Sequence, residues 1–277
     1  MSILALTLLL TAAGIHAGWN ALLKSDEDRL RSIAILAVCS ALAALPLTLA
    51  VPVPSKGSWP YLFGSSAIQV CYCFALVRAY GHGDLVSVYP IARGSAPVFV
   101  TIGAAIFARE FPDMLGLLGI ALVSGGILTL SLGRSRPTAK AITAALTTGL
   151  FIASYTLVDG IGVRLSGNAL GYAVWQATIA GFLITAAYCL IRKRPPTISL
   201  DRAGAMLALA GILSAVAYGI SVWAMSIAAM GEVSALRETS ILFAAVFAAV
   251  ILKERITWQK LLGICAVTAG VGCVSIG

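Results

Sequence analysis

Residues 93–131, RGSAPVFVTIGAAIFAREFPDMLGLLGIALVSGGILTLS, return at a constant offset of 144 as residues 237–275, RETSILFAAVFAAVILKERITWQKLLGICAVTAGVGCVS. Of the 39 aligned positions 12 are identical, among them Arg93/Arg237, Phe99/Phe243, Glu110/Glu254, Gly119/Gly263, Gly126/Gly270 and Ser131/Ser275. Apolar residues match by chance, but an arginine and a glutamate kept at one spacing do not follow from greasiness. The chain therefore reads as two copies of one unit, residues 1–133 and 134–277.

Composition says what solvent the unit lives in. Of 277 residues 60% are apolar and only 11% charged, and the mean hydropathy is +0.97. A water-soluble chain could not hide that much apolar surface. A helix of roughly 20 apolar residues spans about 30 Å of hydrocarbon, and runs of that order lie at 2–23, 32–51, 59–80, 85–108, 112–132, 139–158, 168–191, 203–230, 233–252 and 257–276. The first run has no basic leader or cleavage site and reads as a retained helix. The expected fold is an all-α integral membrane protein of ten transmembrane helices, arranged as a 5+5 inverted repeat around a central cavity. Because five is odd, the second copy enters the bilayer upside down, an arrangement common in secondary transporters.

Charge sets the expected topology. The net charge of +8 would suggest nucleic acid in a soluble protein; here the basic residues sit at helix ends. Thirteen Lys and Arg fall on connections 1–2, 5–6, 7–8 and 9–10, and three (Lys56, Arg109, Arg164) on connections 2–3, 4–5 and 6–7. The positive-inside rule puts the first group in the cytoplasm and both termini outside. The six cysteines all lie in apolar runs without a metal-ligand pattern, so they read as reduced packing residues, and no cofactor is expected.

Within each copy the fourth and fifth runs differ in character. Gly116, Gly119, Gly125 and Gly126 in one fifth run, and Gly263, Gly270 and Gly272 in the other, suit close helix contact, which assigns both to the scaffold and to a candidate homodimer interface. Pro90 and Pro97 interrupt run 85–108 around Tyr89, Arg93, Gly94 and Ser95. They are expected to break the helix and turn carbonyls near Val86 and Arg93 toward the cavity. Arg237, Glu238, Thr239 and Ser240 occupy the matching place. Charge at membrane depth costs about 2.5 to 3.5 kcal/mol on insertion scales. The arginines read either as snorkelling or structurally paired residues, or as one positive charge at each mouth of a shared vestibule, recognising an anion or alternating on Glu238.

Weaker polar signals accompany them: His16, Trp19 and Asn20 in the first run, Gln69, Tyr72 and Arg78 in the third, Tyr155 in the sixth, Trp175 and Gln176 in the seventh, and Tyr218 and Trp223 in the eighth. Taken singly, each suits an interhelical hydrogen bond or an interfacial aromatic. Asp84 and Asp159 are expected at helix ends in water, although Asp159, Glu238 and His16 are also the protonatable candidates for a coupling role.

The stretches GDLVSVYPIARGSAPVF at 83–99, ARE at 108–110, GEVSALRETS at 231–240, KER at 253–255 and HAGWN at 16–20 resemble the EamA-type members of the drug/metabolite transporter superfamily, over nearly the whole chain. The resemblance implies a basket of ten helices around a central cavity lined mainly by helices 3, 4, 8 and 9 with parts of 1 and 6. It places Gln69, Tyr72, Tyr89, Arg93, Ser95, Tyr218, Arg237, Glu238 and Thr239 near that cavity. Many family members are drawn with both termini in the cytoplasm, whereas the charge count here puts them outside.

The resulting expectation is a multi-pass carrier in the cell (inner) membrane. It exports a small polar or amphipathic metabolite by alternating access, driven by protons or by exchange, and has the bilayer and a small-molecule substrate as partners. No GxxxxGK[ST] run is present, which disfavours ATP-driven transport. The alternatives are an exchanger of anions or phosphorylated metabolites and an intramembrane lipid-modifying enzyme. The latter would need a clustered nucleophile and base, and the candidates here are scattered. A structural or receptor-like protein is a third class, which the inverted repeat disfavours.

Overall fold

Runs of apolar residues with almost no interior charge close their own backbone hydrogen bonds, which in hydrocarbon only helices and closed barrels can do. The computed structural model describes residues 2–23, 28–81, 85–131, 137–199, 201–244 and 257–276, with side chains at 19–23, 80, 85–87, 130 and 131 outside that description. All regular structure among these residues is helical: α1 (Ile3–Leu23), α2 (Arg29–Ala44), α3 (Trp59–Tyr80), α4 (Leu85–Gly103), α5 (Met114–Ser131), α6 (Ala139–Leu165), α7 (Ala169–Arg192), α8 (Arg202–Met225), α9 (Met230–Arg237) and α10 (Trp258–Ile276), with short 3-10 and π turns between them. Among the described residues seven stretches, those built on α2, α3, α4, α6, α7, α8 and α10, are long and apolar enough to cross a membrane; Ile3–Gly18 and Met114–Thr129 are apolar but shorter.

Helix starts follow local chemistry. Asp28, Thr138, Asn168 and Asp201 each accept a hydrogen bond from a first-turn N–H of α2, α6, α7 and α8, satisfying one of the donors a helix leaves open. Outward faces carry large apolar side chains such as Leu49, Phe107, Phe111, Met114 and Leu190, all mostly exposed. In water that surface would aggregate; against lipid tails it is at home.

The helix pairings form a pattern. α3 packs on α6 as α1 packs on α8, and α2 on α8 as α7 on α3; α2 packs on α7, and α5 on α10. Replacing each helix by the one five places along reproduces the same set of pairs. At the α5–α10 crossing, a Cβ on Gly119 would lie 2.7 Å from the Gly270 carbonyl oxygen, and one on Gly126 would lie 2.8 Å from that of Gly263. Since Gly119 corresponds to Gly263 and Gly126 to Gly270 in the repeat, the two contacts are exchanged copies of each other. These glycines are engaged within the chain, whereas Gly125 and Gly272 meet nothing within 4 Å.

The expected break of α4 is corrected. α4 runs unbroken from Leu85 through Pro90 and Pro97 to Gly103; its irregularity comes later, in a π turn at Ala104–Ala108 closed by Arg109 in the left-handed conformation (φ 53°). A proline removes one interior hydrogen bond, which the packed neighbours of α4 tolerate. The interruption falls in the second copy: α9 stops at Arg237, Glu238 and Thr239 form a turn, and helix resumes at 240–244. There the N–H groups of Glu238 and Thr239 donate to the carbonyls of Ala235 and Leu236, three residues back. The sixth span is also longer than expected, reaching Leu165 and not ending at 158.

Candidate functional site

Polar side chains at membrane depth need partners, and here they find one another. From α4, Arg93 brings Nε to 2.7 Å from Glu238 Oε2, both side chains sealed from solvent. Neither atom has an aligned hydrogen bond, so the contact is an ion pair held by charge and not by a linear N–H···O bond. The Arg93 guanidinium also lies 5.8 Å from the ring centre of Tyr89, one turn earlier on α4. Arg237, at the end of α9, lies 4.9 Å from the ring centre of Tyr218, within cation–π range, and hydrogen-bonds with Tyr155. Among the described residues no carboxylate stands within 4 Å of Arg237.

Aromatic rings tie this cluster to α3, α6 and α8. Tyr155 meets Tyr72 edge-on at 5.7 Å and Tyr218 at 5.9 Å. Both arginines act electrostatically on Tyr155 and on His16 of α1. The expectation of one arginine at each mouth is therefore corrected: the two charges belong to a single cluster. The physical reason is the Glu238 turn, which carries a carboxylate between the helices that bear them.

Asp159 is the second correction. Far from standing in water, it is completely buried within α6. The Tyr172 hydroxyl of α7 donates to its Oδ1 at 3.0 Å, and the Tyr218 hydroxyl of α8 donates to its Oδ2 at 2.5 Å. Tyr218 thus touches Asp159 with its hydroxyl and Arg237 with its ring. Tyr172 is the member that sequence reasoning missed, whereas Asp159 is named there for a coupling role but expected at a helix end in water. The signal was present: Asp159 stands one turn after Tyr155, on the same helix face, and Gly-Ile-Gly-Val follows it without a break.

The remaining candidates are spread more widely. Gln69 donates to Ser65, itself against Asp159. Ser95 donates to the Ala92 carbonyl on the side facing Gly149 of α6. Thr239 is buried and donates to the Leu236 carbonyl. Trp175 packs edge-on against Trp59, Gln176 is buried in α7, Trp223 lies against the core around Leu9, Tyr172 and Met225, and Arg78 is exposed in the last turn of α3. The side chains of Trp19 and Asn20, and all of Asp84 and 253–255, lie outside the described residues.

At one edge of the bundle a separate set of contacts joins three connections. Glu110 Oε2 pairs with Arg164 at 2.5 Å, and Glu110 Oε1 accepts from the Met230 N–H at 2.5 Å. Arg164 donates to the carbonyls of Met225 and Ala228, each at 2.9 Å.

A chain of long apolar helices with an apolar exterior and its polar side chains gathered inside is a multi-pass membrane protein. It belongs to the EamA-like transporter family, whose model matches residues 139–276, the second of the two copies read from the sequence. One solved crystal structure superposes with a TM-score of 0.80, covering 98% of this chain and 98% of that one at 14% identity, a likeness of fold. No curated protein matches the sequence. Family membership makes the chain a membrane transporter of the drug/metabolite transporter superfamily.

Proposed function

We propose that this transporter is a secondary carrier that exports a small polar or amphipathic metabolite by alternating access, driven by protons or by exchange. The observation that carries the reading is Arg237: a half-buried guanidinium without a carboxylate partner among the described residues, set against the rings of Tyr155 and Tyr218. A charge at that depth is stable only beside a counter-charge, water or a ligand. The tyrosines offer flat apolar faces with hydroxyls at the rim, a surface suited to an amphipathic molecule. The same unpaired guanidinium favours an anionic group on that molecule, which keeps the anion-exchanger reading beside the first.

Alternating access is supported by the exchange symmetry of the helix pairs and of the Gly119–Gly270 and Gly126–Gly263 contacts. Two five-helix repeats, residues 1–133 and 134–277, of opposite orientation can swap conformations about such an axis and open one site to each side in turn. The proposed location is the inner membrane of the cell. Purified protein in liposomes, offered a panel of labelled metabolites, tests the reading. Accumulation of an unchanged compound is the expected result, and a chemically altered product would point instead to the intramembrane enzyme.

A further inference from the structure

Two buried carboxylates stand in this cluster, and their surroundings differ in one respect. Glu238 has a guanidinium at 2.7 Å. Asp159 has none within 4 Å among the described residues; its carboxylate meets neutral hydroxyls, from Tyr172, Tyr218 and Ser65. Hydroxyl donors lessen the penalty of a buried carboxylate but do not cancel its charge, and a carboxyl group so placed can instead take up a proton. A carboxylate locked to an arginine holds its charge more firmly.

We propose that Asp159 is the proton-binding group of this carrier, and that its protonation is read at Arg237 through Tyr218. The proposal rests on the transport reading and names its coupling ion. In the charged state Tyr218 donates to Asp159 Oδ2 while its ring faces Arg237. A proton taken from water onto Oδ2 makes that oxygen a donor to the Tyr218 hydroxyl oxygen. The Tyr218 proton is then released from Asp159 and free to turn toward a ligand. With Arg93 and Glu238 cancelling, the cluster passes from neutral to a single positive charge, on Arg237. Protonation therefore strengthens the hold on an anionic group, and binding such a group draws the proton in.

Every element packed on Asp159 is consistent with this. α3 presents Ser65, and Tyr61, which faces Tyr172; α7 presents Tyr172; α8 presents Tyr218; α9 presents Arg237. α4 brings Arg93, already paired with Glu238, and Lys56, in the turn before α3, is exposed.

Infrared difference spectroscopy on the purified protein in lipid vesicles tests this with the proton itself as the probe. Lowering the pH through the carboxylate range should raise a carboxylic-acid carbonyl band that is lost in Asp159→Asn and retained in Glu238→Gln. Tyr218→Phe, which removes one hydroxyl, should shift the band, and Asp159→Glu, which keeps a carboxyl group, should restore one. Thermal melting of each variant checks that it is folded. A band that persists in Asp159→Asn, no titrating band in the unaltered protein, or a band unmoved by Tyr218→Phe would overturn the proposal. Failure to carry any metabolite would instead sink the transport reading and leave the band where it is.

Discussion

Arg93 of α4 and Glu238 of the turn after α9 face each other at 2.7 Å, and both side chains are almost wholly buried. The pair ties Arg93 to the neighbour of Arg237, the residue that matches it at the offset of 144. A buried pair contributes little net stability, but breaking it strands a charge. Glu238→Gln or Arg93→Gln should each destabilise the protein by about 3 to 5 kcal/mol, and the double variant by clearly less than the sum. Melting of the three variants in detergent gives the coupling energy directly, and simple additivity would show the contact to be inert.

Among the described residues Arg237 has no carboxylate partner to lose, so the expectation there is the reverse. Arg237→Gln should leave the melting temperature nearly unchanged while cutting transport tenfold or more, on the order of 1.4 kcal/mol. Arg237→Lys should recover only part, because an ammonium is a point charge without the planar fork. Full activity in Arg237→Gln would move the binding site elsewhere in the cluster.

The Glu110–Arg164 contact joins the connections after α4, α6 and α8 on one side of the bundle. Arg164→Ala removes the pair and two bonds to carbonyls at once. Hydrogen exchange at the Met230 amide, which donates to Glu110, should then accelerate about tenfold, corresponding to roughly 1.4 kcal/mol of lost protection. Unchanged exchange would mean that these loops are held by packing alone.

Glycines of α5 separate by what a methyl group would meet. Gly119→Ala sets a Cβ against the Gly270 backbone at 2.7 Å and must push α5 from α10, whereas Gly125→Ala meets nothing within 4 Å. The first should destabilise by about 1 to 3 kcal/mol, and the second should be near neutral or mildly stabilising. Thermal melting of the two variants checks the contrast, and equal effects would remove the close-crossing argument.

Orientation can be read with fused reporters. Thirteen Lys and Arg on one set of connections against three on the other predict, by the positive-inside rule, that both termini lie outside the cytoplasm. A C-terminal reporter active only outside should therefore be active, and activity of a cytoplasmic reporter alone would reverse the assignment.

The sequence by itself determined the features that local chemistry and repetition dictate. Apolar runs separated by charge fix where helices lie: the spans expected at 59–80 and 257–276 agree with Trp59–Tyr80 and Trp258–Ile276 to within a residue. The shared Arg and Glu at one offset carry the reading of an internal repeat, and membrane depth alone marked Arg93, Arg237 and Glu238 as costly residues. Tertiary structure decided which partners discharge that cost. Nothing local to Arg93 says that its partner is Glu238, half a chain away, or that Arg237 meets tyrosines and, among the described residues, no carboxylate. Proline's missing donor suggested a broken α4, but the helix continues and the interruption sits after Arg237, because packing against neighbours outweighs one lost hydrogen bond. Asp159 looked like the end of a helix because a carboxylate is costly in hydrocarbon. Two tyrosine hydroxyls brought to it by α7 and α8 offset part of that cost, and only the fold could supply them.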